Sequence, residues 1–291
     1  MKSKCRWTWN RSNKKIMKWA ILHRTRYTYA TPVRDSFNDV RLQPVPIPEQ
    51  TVESFLLKVL PAVRLTHSKD FYSNWIQHFE IAEPHSHLMI EANSVVVTHP
   101  PAMLPTEKIC SFEQMKAAPN IERCFDYLQS SRFVELSPEA WKLALDATDG
   151  IDDAWLAILA LMKFVHGFLK YETASTHVHT HMSEVMRDRR GVCQDFAHLM
   201  IGLCRSLQIP ARYVSGYLAT ESASATHAWM EVFVPGHGWR GLDPTHNCQL
   251  TGEYVKIGNG RDYGDVPPIS GNYRGTRERK MEVEVKITSL S

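Results

Sequence analysis

Three short segments of the 291-residue chain hold residue types that can work together as a nucleophile, its base and the base's support. They are Gly191-Val192-Cys193-Gln194-Asp195, Thr226-His227-Ala228-Trp229 and Leu242-Asp243-Pro244-Thr245. A cysteine that opens a helix faces the positive end of the helix dipole, which favours the nucleophilic thiolate. Gly191 just ahead of Cys193 allows a tight turn and an exposed approach. A thiol nucleophile needs a base, and the base needs a third group to hold it. The pattern predicts that His227 opens one strand and Asp243 closes the next, with a short hairpin between them. In adjacent antiparallel strands those two ends lie side by side. An aspartate there accepts a hydrogen bond from the imidazole and fixes its tautomer. The same residues also fit a buried cysteine, a hairpin histidine and a capping aspartate, and local spacing does not choose between the two sets.

The elements that must position these residues follow from periodicity. Phe196, Ala197, Met200, Ile201 and Cys204 fall on one face behind Cys193, so a helix starts near the cysteine and ends at Ile209-Pro210. Strands are predicted for Ala211 to Ala219, His227 to Val234 and Trp239 to Leu242, the last two joined by Pro235-Gly236-His237-Gly238. Upstream, Ser137-Pro138-Glu139 reads as a capped helix start. Asp152-Asp153 opens a further helix, with Ile151, Trp155, Ile158, Met162, Val165 and Leu169 as its apolar stripe. His166 lies beside that stripe and reads as structural or exposed. The N-terminal part reads as strands: Trp19 to Tyr29, ended by Thr31-Pro32, then Thr51 to Leu60, Asn74 to Ala82 and Leu88 to Thr98. Glu83-Pro84-His85-Ser86 is the turn between the last two. Met281, Val283, Val285 and Ile287 alternate with polar residues, a half-exposed strand.

The expected fold class is α+β: an antiparallel β-sandwich-like domain, then a domain of helices followed by an antiparallel sheet. The expected divisions are a basic extension at 1–16, a β domain at 17–100, a linker at 101–120 and a catalytic domain at 121–291. Residues 1–16 carry Lys2, Lys4, Arg6, Arg11, Lys14 and Lys15 and no acid, and lack hydrophobic periodicity, so they are expected to add little to the core. The remainder is mildly acidic and gives no case for nucleic-acid binding. No apolar run approaches the ~20 residues needed to span a bilayer. Ile16 to Leu22 is too short, and too interrupted by Lys18, for a signal peptide, so a cytoplasmic protein without membrane association is expected. Cys5, Cys110, Cys124, Cys193, Cys204 and Cys248 show no Cys-x-x-Cys pair, which suits reduced thiols.

Other residues invite chemistry and read more simply as structure. His177, His179 and His181 alternate, but without a nearby carboxylate or cysteine set they fit a polar loop better than a zinc site. No metal and no cofactor is expected, and no calcium loop of the Asp-x-Asp-x-Asp-Gly type is present. His198 points some 140° away from Cys193 around the helix and should pack or bond structurally. Asp195 in the first turn complements the helix dipole. Trp229 and Trp239 flank the histidine and aspartate segments as core or as a water shield. Cys204 reads as a buried thiol.

Arg190-Gly191-Val192-Cys193-Gln194-Asp195-Phe196-Ala197-His198 resembles the nucleophile segment of bacterial transglutaminase-like proteins. Ile209 to Tyr217, His227 to Val232, Gly238 to Thr245 and Gly260 to Pro268 continue the pattern in the same order. His23 to Tyr27 and Pro32-Val33 resemble the start of that family's N-terminal β domain. The resemblance covers about residues 17 to 288. It implies a papain-like core with Cys193 as nucleophile, His227 as base and then acid, and Asp243 as the orienting residue. The expected function is a cysteine-dependent amide hydrolase, a peptidase forming a thioester with a peptide or protein substrate. A transglutaminase resolves the same thioester with an amine. A third alternative is a peptide-binding module with a vestigial triad.

Overall fold

A computed structural model describes residues 16–117, 121–173, 176–220 and 223–290. The basic start expected to add little to the core lies, up to residue 15, outside them.

The first five strands are β1 (Met17–Val40), β2 (Gln50–Leu60), β3 (Thr66–Lys69), β4 (Trp75–Ile81) and β5 (His85–Thr98). β1 does not stop at Thr31-Pro32 as the sequence suggests. Its pairing with β5 becomes irregular between Thr28 and Val33, and Asp35 takes a positive φ of 49°, so Pro32 sits at a bend that needs no ladder donor. Beyond the bend, β1 pairs with β4. One long strand thus serves two layers, and Tyr27, Val40, Leu57, Phe79, Ile81, Leu88 and Ile90 fill the space between them. β3 is a four-residue exposed strand with no periodic signal to announce it.

The second part begins with α1 (Phe112–Ala117), a 3-10 turn at Ile121–Leu128, α2 (Pro138–Ala147) and α3 (Ala154–Phe168). Ser137 and Asp153 cap α2 and α3 by accepting Ala140 and Leu156 N–H groups. Then come β6 (Lys170–Tyr171), α4 (Met182–Asp188), β7 (Arg190–Gly191) and α5 (Cys193–Ser206). Trp155, Ile158, Met162 and Val165 of α3 are fully buried against Phe196, Leu199, Met200 and Leu203 of α5. A sheet follows, from β8 (Ala211–Thr220), β9 (Ala223–Val234), β10 (Gly238–Asp243), β11 (Cys248–Gln249) and β12 (Tyr254–Gly260), in the order β11-β10-β9-β8-β12. Ala228, Met230, Val232 and Val234 of β9 lie in the same core as α5.

The chain then returns. After a 3-10 turn at Tyr263–Asp265, β13 (Ile269–Arg274) and β14 (Arg279–Leu290) both pair antiparallel with β1. The expected division placed residues 121–291 in one domain, whereas the last two strands complete the N-terminal sheet. Alternation at 281–287 marks a strand but carries no information on its partner. The architecture is α+β: an N-terminal β region with its sheet closed by the C-terminal strands, and a core of helices followed by an antiparallel sheet. Trp19, Ile21 and Val96 pack against Tyr217, Ala219, Val255 and Ile257 where the two meet.

Candidate active site

Cys193 is the first residue of α5 and is partly exposed. The turn that presents it is fixed by Asp195. The Asp195 carboxylate accepts the Val192 N–H at 2.7 Å and the Thr176 hydroxyl at 2.6 Å through the same oxygen, Oδ2. It therefore caps the helix from its own first turn and ties down the segment before it. Burial raises its pKa, with the two hydrogen bonds opposing. Gly191 has an ordinary backbone here; its reason is proximity, because any Cβ would overlap the Asp195 side chain. The expected exposed approach is thus a close contact inside the turn.

His227 lies within β9, four residues after its start, rather than opening it. Asp243 is the last residue of β10, and β9 and β10 pair with Leu242 opposite Met230. This register brings the two side chains together: His227 Nε2–H donates to Asp243 Oδ2 at 2.7 Å. The His227 side chain is 8% exposed and that of Asp243 0%. Burial works against the imidazolium, but the Asp243 carboxylate and the Cys193 sulfur, as an anion, outweigh it and raise His227 to about 10. Burial likewise works against the Asp243 carboxylate, and the hydrogen bonds from His227 and His246 hold it well below the usual range. The expected imidazole–carboxylate contact is present, with Cys193 acting on the same ring.

Two neighbours of Asp243 were not singled out from the sequence. His246 Nδ1–H donates to the same Oδ2 at 2.7 Å, and the Tyr254 hydroxyl donates to it at 2.8 Å. The other oxygen, Oδ1, accepts Thr245 N–H at 2.8 Å and His246 N–H at 3.2 Å. His246 follows the aspartate in the same turn, where an Asp-Pro-Thr-His run offers a clue. Tyr254 sits eleven residues on, in another strand, and only the fold reveals it. His166 fastens this turn to α3 by donating Nδ1–H to the Thr245 carbonyl at 3.0 Å. The ligand atoms of His227, Asp243 and His246 lie within 4.8 Å of one another, but all three already serve this hydrogen-bond cluster.

Trp229 is 1% exposed and stacks beside His227 with ring centres 6.3 Å apart, where it shields the imidazole from water. Trp239 does not reach the histidine; it packs under Arg212, whose guanidinium lies 4.0 Å above its ring. His198 is buried, accepts the Tyr263 N–H at 3.1 Å and stacks on Phe133, and burial lowers it to about 4. His179 and His181 flank the same Phe133, and His181 caps α4. Cys204 is fully buried, which pushes its thiol up to about 12; Cys110 and Cys124 are buried too.

Residues 19–97 match the bacterial transglutaminase-like N-terminal region, and residues 142–244 match the transglutaminase-like superfamily core. An uncharacterised protein of Mycobacterium leprae is 30% identical over 279 residues, covering 93% of this chain and 98% of its own. A protein-glutamine gamma-glutamyltransferase of Pseudomonas aeruginosa is 32% identical over 104 residues, 30% of this chain and 15% of that one. A crystal structure of a candidate cysteine protease from Cytophaga hutchinsonii superposes with a TM-score of 0.77 at 24% identity, covering 95% of this chain and 92% of that chain. With both regions matched in order, the core range holding Cys193 at the start of α5, and a relative 30% identical over nearly the whole chain, the chain belongs to the bacterial transglutaminase-like family.

Proposed function

We propose that this protein is a cysteine-dependent amide hydrolase, a peptidase, working through Cys193, His227 and Asp243. The observation that carries the reading is the 2.7 Å bond from His227 Nε2–H to a fully buried Asp243, with the helix-opening Cys193 favouring the same imidazolium. The Cys193 thiolate attacks an amide carbonyl, with the Cys193 N–H at the start of α5 as one oxyanion donor. His227 gives its Nδ1 proton to the leaving amine as the C–N bond breaks, and a thioester remains. Water then attacks the thioester, His227 takes a water proton, and the thiolate leaves. Asp243 keeps its charge throughout and holds the imidazole tautomer.

Peptides or proteins are the substrate class, and a reducing, cytoplasmic setting suits the free thiols. Amine transfer runs on the same three groups, and the relative that carries the glutamyltransferase name favours it as the second reading. A peptide library incubated with the protein, with and without an added primary amine, separates the two by mass spectrometry. Cleaved peptides support hydrolysis, and amine-labelled ones support transfer. Cys193→Ala should abolish either product while leaving the melting temperature unchanged; product formation at the wild-type rate would remove Cys193 from the chemistry.

A further inference from the structure

Asp243 Oδ2 has three donors and two lone pairs. His227, His246 and Tyr254 all point hydrogens at it within 2.8 Å. A carboxylate oxygen accepts best along two in-plane directions, so the three donors compete. Whatever hold Tyr254 takes on that oxygen is withdrawn from His227.

Tyr254 arrives on β12, the edge strand of its sheet, on the opposite side of β8 and β9 from β10. An edge strand leaves a row of backbone groups in need of partners. Among the described residues no further strand supplies them; side-chain amides of the N-terminal region do. Gln50 donates Nε2–H to the Lys256 carbonyl at 2.9 Å and accepts the Lys256 N–H at 2.8 Å. Asn74 does the same to Asn259, at 2.8 Å in both directions. Val45 N–H adds a bond to the Lys256 carbonyl at 3.2 Å. Trp19 Nε1–H and the Thr98 hydroxyl reach the Gly252 carbonyl, two residues ahead of Tyr254. Gln50 and Asn74 are each 2% exposed, and Asp70 holds the Asn74 amide at 2.9 Å, so these brackets are rigid.

We propose that the N-terminal β region is a positioning device for the catalytic histidine: its amide brackets hold β12, β12 holds the Tyr254 hydroxyl on Asp243, and Tyr254 sets how tightly Asp243 grips His227. Tyr254 and, behind it, Gln50 and Asn74 are positioning residues. This rests on the Cys193–His227–Asp243 reading. The ionisable neighbours along the route include Lys256 on β12 itself, whose ammonium donates to Glu231 at 3.0 and 2.8 Å and is lowered by burial to about 8. His227 faces Cys193 and Asp243, Asp243 faces the two histidines and Tyr254, and Tyr254 also lies 3.7 Å from the Cys248 thiol.

The test needs no substrate: the rate of Cys193 alkylation by iodoacetamide is followed against pH, and its alkaline inflection reports loss of the His227 proton. Tyr254→Phe keeps the ring on Trp229 and removes only the hydroxyl. With one competitor gone, Asp243 holds the imidazolium harder, and the inflection should rise by about half a pH unit, roughly threefold in proton affinity. Gln50→Ala should move it the same way by less, and Asn74→Ala gives a second route if Gln50→Ala folds poorly. The Gln50→Ala/Tyr254→Phe double variant should move no further than Tyr254→Phe alone. An unmoved or lowered inflection in Tyr254→Phe overturns the positioning role. Additive shifts overturn the route through β12. Slow, unselective alkylation of the wild type would instead defeat the catalytic reading, a different failure with a different signature.

Discussion

Glu231 on β9 and Asp243 on β10 are buried carboxylates in one sheet, and their partners are of opposite kinds. Glu231 Oε2 meets the Arg212 guanidinium at 2.6 Å, and the Lys256 ammonium reaches both its oxygens, at 3.0 and 2.8 Å. Burial opposes that charge, but the two cations hold Glu231 down to about 2. Burial lowers the Lys256 ammonium to about 8, so it is still mostly protonated at neutral pH, where Glu231 keeps it as a partner. Asp243 meets two imidazoles and a phenol and, among the described residues, no permanent cation. The same sheet thus carries a brace and the proposed acid–base pair. Buried charge alone does not separate them; what does is that His227 lies between its carboxylate and a thiol, a group with which an imidazole can exchange a proton.

The largest break in that comparison should come from Asp243→Asn. The amide cannot stabilise an imidazolium and misassigns its tautomer, so turnover should fall by about 10³–10⁴ while the fold survives. Turnover within a few-fold of wild type would place the chemistry elsewhere. Glu231→Gln should do the reverse. It leaves Arg212 and Lys256 facing each other without an anion, which costs about 3 kcal/mol, a melting-point drop of roughly 6–12 °C. Alkylation of Cys193 in the protein that remains folded should keep its wild-type rate; a tenfold loss there would join the brace to the site.

The smallest effect concerns pH and sharpens the contrast. The pKa of His227 is raised above its ordinary 6.5, so its contribution to stability is complete below 6.5 and fades as pH climbs through about 10. The pKa of Asp243 is depressed, so its contribution is present above the ordinary 3.8 and is lost as pH falls below it. The melting-temperature gap between wild type and Asp243→Asn should therefore be widest between about pH 4 and 6.5. A gap that stayed constant up to pH 10 would mean that the histidine carries no such proton.

Cys193, His227 and Asp243 could be singled out in the sequence because each sits in a run whose local form follows from its neighbours, a helix start, a strand, and a strand end beside Pro244; spacing left their joint role open, and the family resemblance supplied it. Tyr254 could not be singled out, because nothing within a few residues distinguishes it from any strand tyrosine. Its meaning comes from β12 joining the sheet at the far side of β8. The helix stripes were equally plain, since 3.6-residue periodicity is a local record of burial. Strand partnership is not local. β1 passes Pro32 because a bend removes the need for that residue's donor, and 281–287 pairs with β1 rather than with the nearer strands. For 281–287 a choice between distant segments decided what the residues themselves left open.

That last pairing has a consequence for how the molecule is made. β1 lies between β5 and β14, with Lys18 opposite Leu290 and Tyr29 opposite Arg279. During synthesis the first strands emerge long before residues 279–290 exist, and for that interval the inner edge of β1 is open along twelve positions. Chain segments so far apart close slowly, because the intervening loop must first be ordered. The helical core around α3 and α5, built from neighbours in the chain, can assemble in that time. The N-terminal sheet, first to be translated, is then the last to be finished, and the open edge of β1 is where a nascent copy is most exposed to pairing with another.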